Sequence, residues 1–125
     1  MRPLSISRNA TVITVSFAVP APPLVLDTTL VTDPGNFGFE YVDDSRAPPA
    51  IVDVAITAPT VVTVTLASVP TGANQRLRYA YTGVDGAPSG PLTGPRGNLR
   101  DSDATVSAHG YDLSNWCLHF DKPVL

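Results

Sequence analysis

The feature that most constrains the fold of this sequence is a period-two alternation of apolar and polar side chains. Within residues 11–19, Ile13, Val15, Phe17 and Val19 fall on one face of an extended chain, and Thr14 and Ser16 fall on the other. Side chains of a β-strand point alternately to the two faces of a sheet, whereas those of a helix repeat every 3.6 residues. The pattern therefore predicts a half-buried strand.

The same alternation recurs along the chain at even spacing. We predict further strands at residues 24–31, 37–41, 51–57, 61–67 and 76–81. Turn-forming residues separate these strands, and the short segment at 58–60 is suited to closing a hairpin. An apolar segment near the C-terminus predicts a last strand and contains Leu113, Trp116, Leu118 and Phe120. About seven short strands are typical of an all-β, antiparallel β-sandwich of the fibronectin-like, Ig-like or carbohydrate-module-like type.

Composition agrees with this fold class. The chain has 125 residues, the size of one domain, and we take 1–125 as a single β-sandwich domain. It contains 13 Pro but only one Glu and one Lys, whereas helical surfaces usually carry several of each charged residue. Residues 83–110 contain six Gly and three Pro. This segment is longer than an ordinary connection between two strands. We predict that this segment is one long loop or arm.

Charge and cysteine content exclude several function classes. The net charge is −3 and the seven Arg are scattered, whereas nucleic-acid binding needs a clustered basic face. We therefore expect no nucleic-acid partner. No apolar run is long enough to span a membrane, and no signal peptide is visible, so we expect synthesis in a cytoplasm without membrane insertion. The single Cys117 rules out an internal disulfide and a Cys-rich zinc site, and we expect no cofactor.

A serine hydrolase needs a nucleophilic Ser, a His base and a carboxylate that orients the base. Ser102 lies between Asp101 and Asp103, and His109 follows seven residues after Ser102, so a triad can be drawn from these residues. The chain lacks the Gly-x-Ser-x-Gly motif of the nucleophile elbow. Because composition alone often produces such sets, we expect no enzymatic activity.

Two binding chemistries are suggested by the residue types, calcium coordination and sugar stacking. Carboxylates at 43–44 and 101–103 offer oxygen ligands for calcium, but EF-hand spacing is absent, and the alternative is that they form Asx-turns. Sugars stack on exposed aromatic side chains, for which Tyr111 is the better candidate because Trp116 lies in an apolar run. We predict no metal site. The candidate contact residues for a glycan or a protein partner are Tyr111, Trp116, Asn98, Arg100 and Asp101.

Two blocks of sequence carry a resemblance to a known family. One block is Pro-Leu-Val-Leu-Asp at 23–27 with Val-Thr-Asp-Pro-Gly-Asn-Phe-Gly-Phe at 31–39. The other is Leu-Arg-Tyr-Ala at 77–80, Gly-Asn-Leu-Arg-Asp-Ser at 97–102 and a closing Leu-His-Phe-Asp-Lys-Pro-Val at 118–124. From about residue 11 onward, the chain resembles the β-sandwich module attached to phage-associated esterases of the SGNH (sialate O-acetylesterase-like) type.

The resemblance implies a β-sandwich fold, a place in a virion and synthesis in the host bacterial cytoplasm. It does not imply esterase activity, because the catalytic blocks of the hydrolase domain have no counterpart here. In this interpretation Asn98 caps a turn and Arg100 pairs with a neighbouring carboxylate.

We therefore expect a non-enzymatic structural accessory protein of a bacteriophage virion, which docks on capsid proteins as a decoration or on tail proteins. A homotrimer is the oligomeric state that analogy with decoration proteins suggests. The alternative is a glycan-binding host-attachment module of a tail protein. A second alternative is a detached domain of an SGNH esterase.

Overall fold

The computed structural model of the protein describes residues 1–83 and 87–125, and its regular secondary structure consists almost entirely of antiparallel strands. The described residues form nine strands: β1 (Arg2–Asn9), β2 (Val12–Ala18), β3 (Val25–Leu26), β4 (Phe39–Val42), β5 (Ile51–Ala58), β6 (Val61–Leu66), β7 (Arg76–Tyr79), β8 (Leu99–Arg100) and β9 (Phe120–Pro123). Within the described residues, one 3-10 turn spans Asn36–Gly38. No helix in 1–83 or 87–125 has the length and apolar character that crossing a membrane requires.

The strands form three sheets. One has four strands in the order β1-β2-β6-β5, one has three in the order β4-β7-β9, and β3 pairs with β8. All pairings are antiparallel, and the predicted hairpin between β5 and β6 is confirmed. The alternation in β6 also points as predicted, since Val62, Val64 and Leu66 are buried. The all-β, sandwich-like fold class is therefore confirmed.

The core lies between the four-stranded and three-stranded sheets and is closed by an aromatic cluster. Phe120 of β9 stacks on Tyr79 of β7 with ring centroids 5.7 Å apart, and Phe39 of β4 meets Tyr79 edge-on at 5.0 Å. Phe17 of β2 contacts Phe120 from the opposite sheet at 6.4 Å. Each fully buried large apolar side chain contributes about 1.5–3 kcal/mol, so this layer holds the two sheets together.

Strand β1 was not predicted, because we expected no strand before residue 11. Only Ile6 in this strand is buried, and Pro3 interrupts its hydrogen-bonding capacity, so the apolar alternation is weak. Tertiary hydrogen bonds stabilise it instead. The outer edge of β1 bonds to Leu125, through Leu125 N to Ile6 O at 3.2 Å and Arg8 N to Leu125 O at 3.0 Å.

Two predicted strands extend beyond the strands observed at those positions. Residues 24–31 contain only the two-residue β3, because the Asp27 carboxylate accepts hydrogen bonds from the backbone N–H of Thr29 and Leu30 and turns the chain. Leu30 is consequently exposed rather than part of a buried face. The strand predicted at 37–41 begins only at Phe39, because Phe37 lies in a turn with φ of 54°.

Two further predictions need local correction. The alternation of Val52, Val54 and Ile56 predicts that all three share one buried face of β5. Val52 is nevertheless exposed, because a bulge between Ile51 and Asp53 shifts the register. The strand predicted at 76–81 ends at Tyr79, and Tyr81 is exposed. Both differences have the same physical cause. The apolar–polar alternation of the sequence continues, but a local irregularity of the backbone interrupts the regular strand geometry.

The segment predicted as one long loop or arm, 83–110, contains a two-residue strand, and its residues 84–86 lie outside the described part of the chain. Leu99 and Arg100 form β8, which pairs with β3. Gly97 packs so closely on Tyr79 that an added Cβ would lie 2.3 Å from its hydroxyl oxygen. The last strand is also shorter than predicted, since β9 begins at Phe120 and both Leu113 and Leu118 are exposed.

Candidate functional site

Asp101 is a buried anchor rather than a surface contact. Its carboxylate accepts four hydrogen bonds, from the backbone N–H of Asn115 (2.9 Å), Asp103 (3.1 Å) and Ala21 (3.2 Å) and from Asn115 Nδ2 (2.7 Å). Burial raises the pKa of Asp101, but these hydrogen bonds outweigh it and hold the pKa below its usual value. The side chain is fully buried, so it ties the two ends of the segment 103–115 to the sandwich.

Asn98 is also fully buried, and it joins segments that are far apart in sequence. Its Nδ2 donates to the carbonyl oxygens of Asp27 (2.9 Å) and Val31 (2.7 Å), and its backbone N–H donates to Phe37 O (3.1 Å). Asn98 Oδ1 is buried without a hydrogen-bond partner among the residues described. The predicted turn-stabilising role fits these contacts, and direct contact of the Asn98 side chain with a ligand does not.

Arg100 is half-buried and lies between the buried Asp101 and the protein surface. Its Nε donates to Asp27 Oδ2 at 2.7 Å, and its Nη1 donates to the carbonyl oxygen of Asp101 at 2.7 Å. The backbone hydrogen bond from Leu30 lowers the pKa of Asp27, burial opposes this effect, and the bond from Arg100 adds to the lowering. The predicted pairing of Arg100 with a carboxylate is present, with Asp27 as the partner.

The two aromatic candidates have different surroundings. Trp116 is half-buried, its backbone forms an antiparallel bridge with Arg100, and its carbonyl oxygen accepts a hydrogen bond from the Met1 ammonium at 3.0 Å. Tyr111 has 71% of its surface exposed. Of the five candidate residues, only Tyr111 presents most of its side chain to solvent.

Tyr111 lies on a small hairpin whose first half falls within the long loop or arm predicted at 83–110. Val106 forms an antiparallel bridge with Asp112, flanked by hydrogen bonds from Ser107 N to Tyr111 O (2.8 Å) and from Leu113 N to Thr105 O (2.9 Å). We call residues 103–115 the anchored hairpin, because Asp101 binds the backbone N–H groups of both Asp103 and Asn115.

The anchored hairpin has two different faces. Successive side chains of extended chains point to opposite sides, so Tyr111 and Leu113 share one face, which we call the outer face. Both side chains are exposed there, Leu113 by 49%. Asp112 and Ser114 occupy the opposite face, where they line an open depression of about 340 Å³.

The depression lies between the hairpin and the β3–β8 pair. Its lining comprises Val25, Leu30, Arg100, Ser102, Asp103, Ala104, Asp112 and Ser114. Leu30 and Val25 give it an apolar part, and the two carboxylates give it a negative part. Tyr111 is not among the lining residues, so the structure separates the exposed aromatic from Arg100. Of the lining residues, only Arg100 was among the predicted contact residues. Period two at 112–114 is the signal that could have identified Asp112 and Ser114.

The residues of the possible catalytic triad are engaged in other contacts. Ser102 Oγ donates to the carbonyl oxygen of Pro23 at 2.5 Å, and the Asp101 carboxylate is occupied by backbone and Asn115 donors. His109 is exposed near the hairpin tip, and its backbone N–H donates to Ser107 Oγ. The structure therefore does not bring Ser102 and His109 together as a hydrogen-bonded pair.

Three of the four possible calcium ligands, Asp43, Asp101 and Asp103, form Asx-type turns by accepting a hydrogen bond from the backbone N–H two residues ahead. Asp43 accepts hydrogen bonds from Tyr41 Oη (2.9 Å) and from the N–H and Oγ of Ser45, and Asp44 accepts one from Asn74 Nδ2. Within 1–83 and 87–125, no three His, Cys, Asp or Glu side chains are grouped so as to hold a metal ion.

Comparison with known proteins adds no relative. The chain matches no protein-family model, no curated protein and no solved structure at a significant level. The resemblance to the SGNH-associated module therefore rests on the sequence blocks at 23–39 and 77–124.

Proposed function

We propose that the protein is a non-enzymatic structural accessory protein of a bacteriophage particle, which docks on another virion protein through the outer face of the anchored hairpin. The observation that carries the proposal is the exposure of Tyr111 and Leu113, two apolar side chains side by side on a rigidly held hairpin. The virion context comes from the resemblance alone.

The contact chemistry of this outer face is suited to protein docking. Aromatic side chains anchored on a rigid frame often dominate the binding energy of protein interfaces, because they bury a large area and lose little conformational freedom. The frame around Asp101 supplies this rigidity, since its hydrogen bonds fix both ends of the hairpin. Docking on a capsid or tail protein, as a monomer or as the proposed homotrimer, would bury these two side chains.

The test uses phage particles purified from a bacterial host in which the chain is expressed. Wild-type protein should co-purify with the particles. For a variant with Tyr111→Ala and Leu113→Ser, the amount of protein bound per particle should fall at least about tenfold. The matched control is Leu4→Ser, which removes an apolar side chain that is 62% exposed elsewhere on the surface. Absence of the chain from purified particles, or a loss caused by Leu4→Ser alone, contradicts the proposal.

A specific observation favours glycan attachment as a second candidate function. The depression on the opposite face of the hairpin combines apolar and polar groups and has the size of small-ligand sites, which are usually about 300–1,000 Å³. This candidate uses Arg100 from the predicted contact residues and does not use Tyr111. Origin as a detached domain of an SGNH esterase stays a prediction of the resemblance alone.

A further inference from the structure

We propose that the depression behind the anchored hairpin binds saccharides that carry free amino groups. The inference gives a ligand class to the second candidate function, and it does not depend on docking through Tyr111. Its starting point is the arrangement of charge in the lining, where one guanidinium and two carboxylates meet.

The positive charge of Arg100 is already compensated. Its guanidinium forms a 2.7 Å salt bridge with Asp27, whose side chain is only 6% exposed, and a further donor is taken by Asp101 O. This arrangement leaves little attraction for an acidic ligand. Arg100 therefore serves as a wall of the depression rather than as an anion receptor.

The two carboxylates of the lining have spare acceptor capacity. Asp103 receives a hydrogen bond from the backbone N–H of Thr105 at Oδ1, and its Oδ2 has only a long contact of 3.5 Å to Asn115. Asp112 is exposed and accepts no side-chain or backbone hydrogen bond from the described residues. A ligand rich in donors, and above all a cationic one, complements this surface.

The remaining lining determines the shape of the ligand. Leu30 is 48% exposed and lies beside Val25, so both can contact C–H groups. Ser102 and Ser114 already donate to the carbonyl oxygens of Pro23 and Asp103, so their oxygens are left as acceptors. Acceptors around an apolar floor suit a ring with hydroxyl and amino donors and an apolar face, which describes an amino sugar.

The experiment measures binding of three oligosaccharides to the full chain by NMR titration: a fully deacetylated glucosamine tetramer, maltotetraose and 3′-sialyllactose. The glucosamine tetramer should bind best, maltotetraose more weakly and sialyllactose least. Asp112→Asn should weaken binding of the glucosamine tetramer by about 3–5-fold, the effect of losing one partly exposed charge pair. Failure of the glucosamine tetramer to bind, or equal binding of sialyllactose, overturns the proposal.

Two control variants make the result specific. Asp53→Asn changes the net charge equally but at an exposed position of β5, so binding should stay within twofold of wild type. Tyr111→Ala should also preserve saccharide binding, because Tyr111 lies on the opposite face of the hairpin. An equal loss in Asp53→Asn indicates attraction to the net charge alone and overturns the site, as does a loss confined to Tyr111→Ala. The outcome for docking to particles is independent of the outcome for saccharide binding, since docking depends on Tyr111 and not on Asp112.

Discussion

Substitution of Asp101 by Asn should destabilise the protein far more than the same substitution at Asp112. The Asp101 carboxylate accepts four hydrogen bonds at 2.7–3.2 Å, whereas Asp112 is exposed. An Asn amide offers one oxygen in place of two and turns an NH2 group toward donors. Asp101→Asn therefore keeps about two of the four bonds and brings two donors into conflict with the new NH2 group.

The magnitude follows from these lost contacts. Each hydrogen bond to an ionised group contributes about 1.5–3 kcal/mol, and water can reclaim part of this because the donors are only partly buried. We expect Asp101→Asn to lower the free energy of unfolding by about 3 kcal/mol. The measurement is urea denaturation followed by Trp116 fluorescence, with Asp112→Asn as the control that should leave the midpoint unchanged.

The pH dependence of stability provides a second readout of the same carboxylate. Hydrogen bonds hold the pKa of Asp101 below its usual value of about 4, so the ionised form stabilises the fold above that value. This contribution is lost as the pH falls through the depressed pKa of the folded state. Asp101→Asn should flatten the loss of stability in acid, but not abolish it, because the pKa of Asp27 is also lowered. Equal stability of the Asp101→Asn and Asp112→Asn variants would refute the assignment of Asp101 as the anchor.

Three further predictions concern the core. Tyr79→Phe removes the hydroxyl that accepts a 2.9 Å hydrogen bond from buried Leu99 N, so the free energy of unfolding should fall by about 1–2 kcal/mol in a denaturant titration; no change would contradict this. Gly97→Ala should lower the free energy of unfolding by about 1–3 kcal/mol in the same titration, because the added Cβ would overlap Tyr79. Gly90→Ala is the control and should leave that free energy unchanged, because its added Cβ would meet no atom within 4 Å. Burial raises the pKa of Cys117 to about 12, so iodoacetamide at pH 8 should alkylate the folded protein much more slowly than the urea-unfolded chain.

The central strands could be predicted from sequence because their environment is simple. In β2 and β6, one face meets the core and the other meets solvent, and Ile13, Val15, Val62 and Val64 are fully buried as the alternation indicates. Strand β1 could not be predicted in the same way, since Ile6 is its only buried residue. Its stability comes from pairing with β2 and from bonds to Leu125, which are contacts between distant parts of the chain.

The candidate site was predicted only in part for a related reason. Asn98, Arg100 and Asp101 were all predicted as contact residues. The sequence pattern does not distinguish the two roles, because polar residues in a Gly-rich segment occur both as surface contacts and as buried anchors. Their role depends on distant partners, such as Asp27 for Arg100 and Ala21 for Asp101. Tyr111 was correctly expected to be exposed, because it lies in a polar turn beside Gly110.

The most direct test of docking through the outer face is a cryo-electron microscopy map of the phage particle that carries this protein. The proposal predicts that density for the hairpin at residues 103–115 abuts a neighbouring capsid or tail protein, with Tyr111 and Leu113 buried at that contact. A map in which the chain is attached through another surface, with Tyr111 and Leu113 facing solvent, would contradict it.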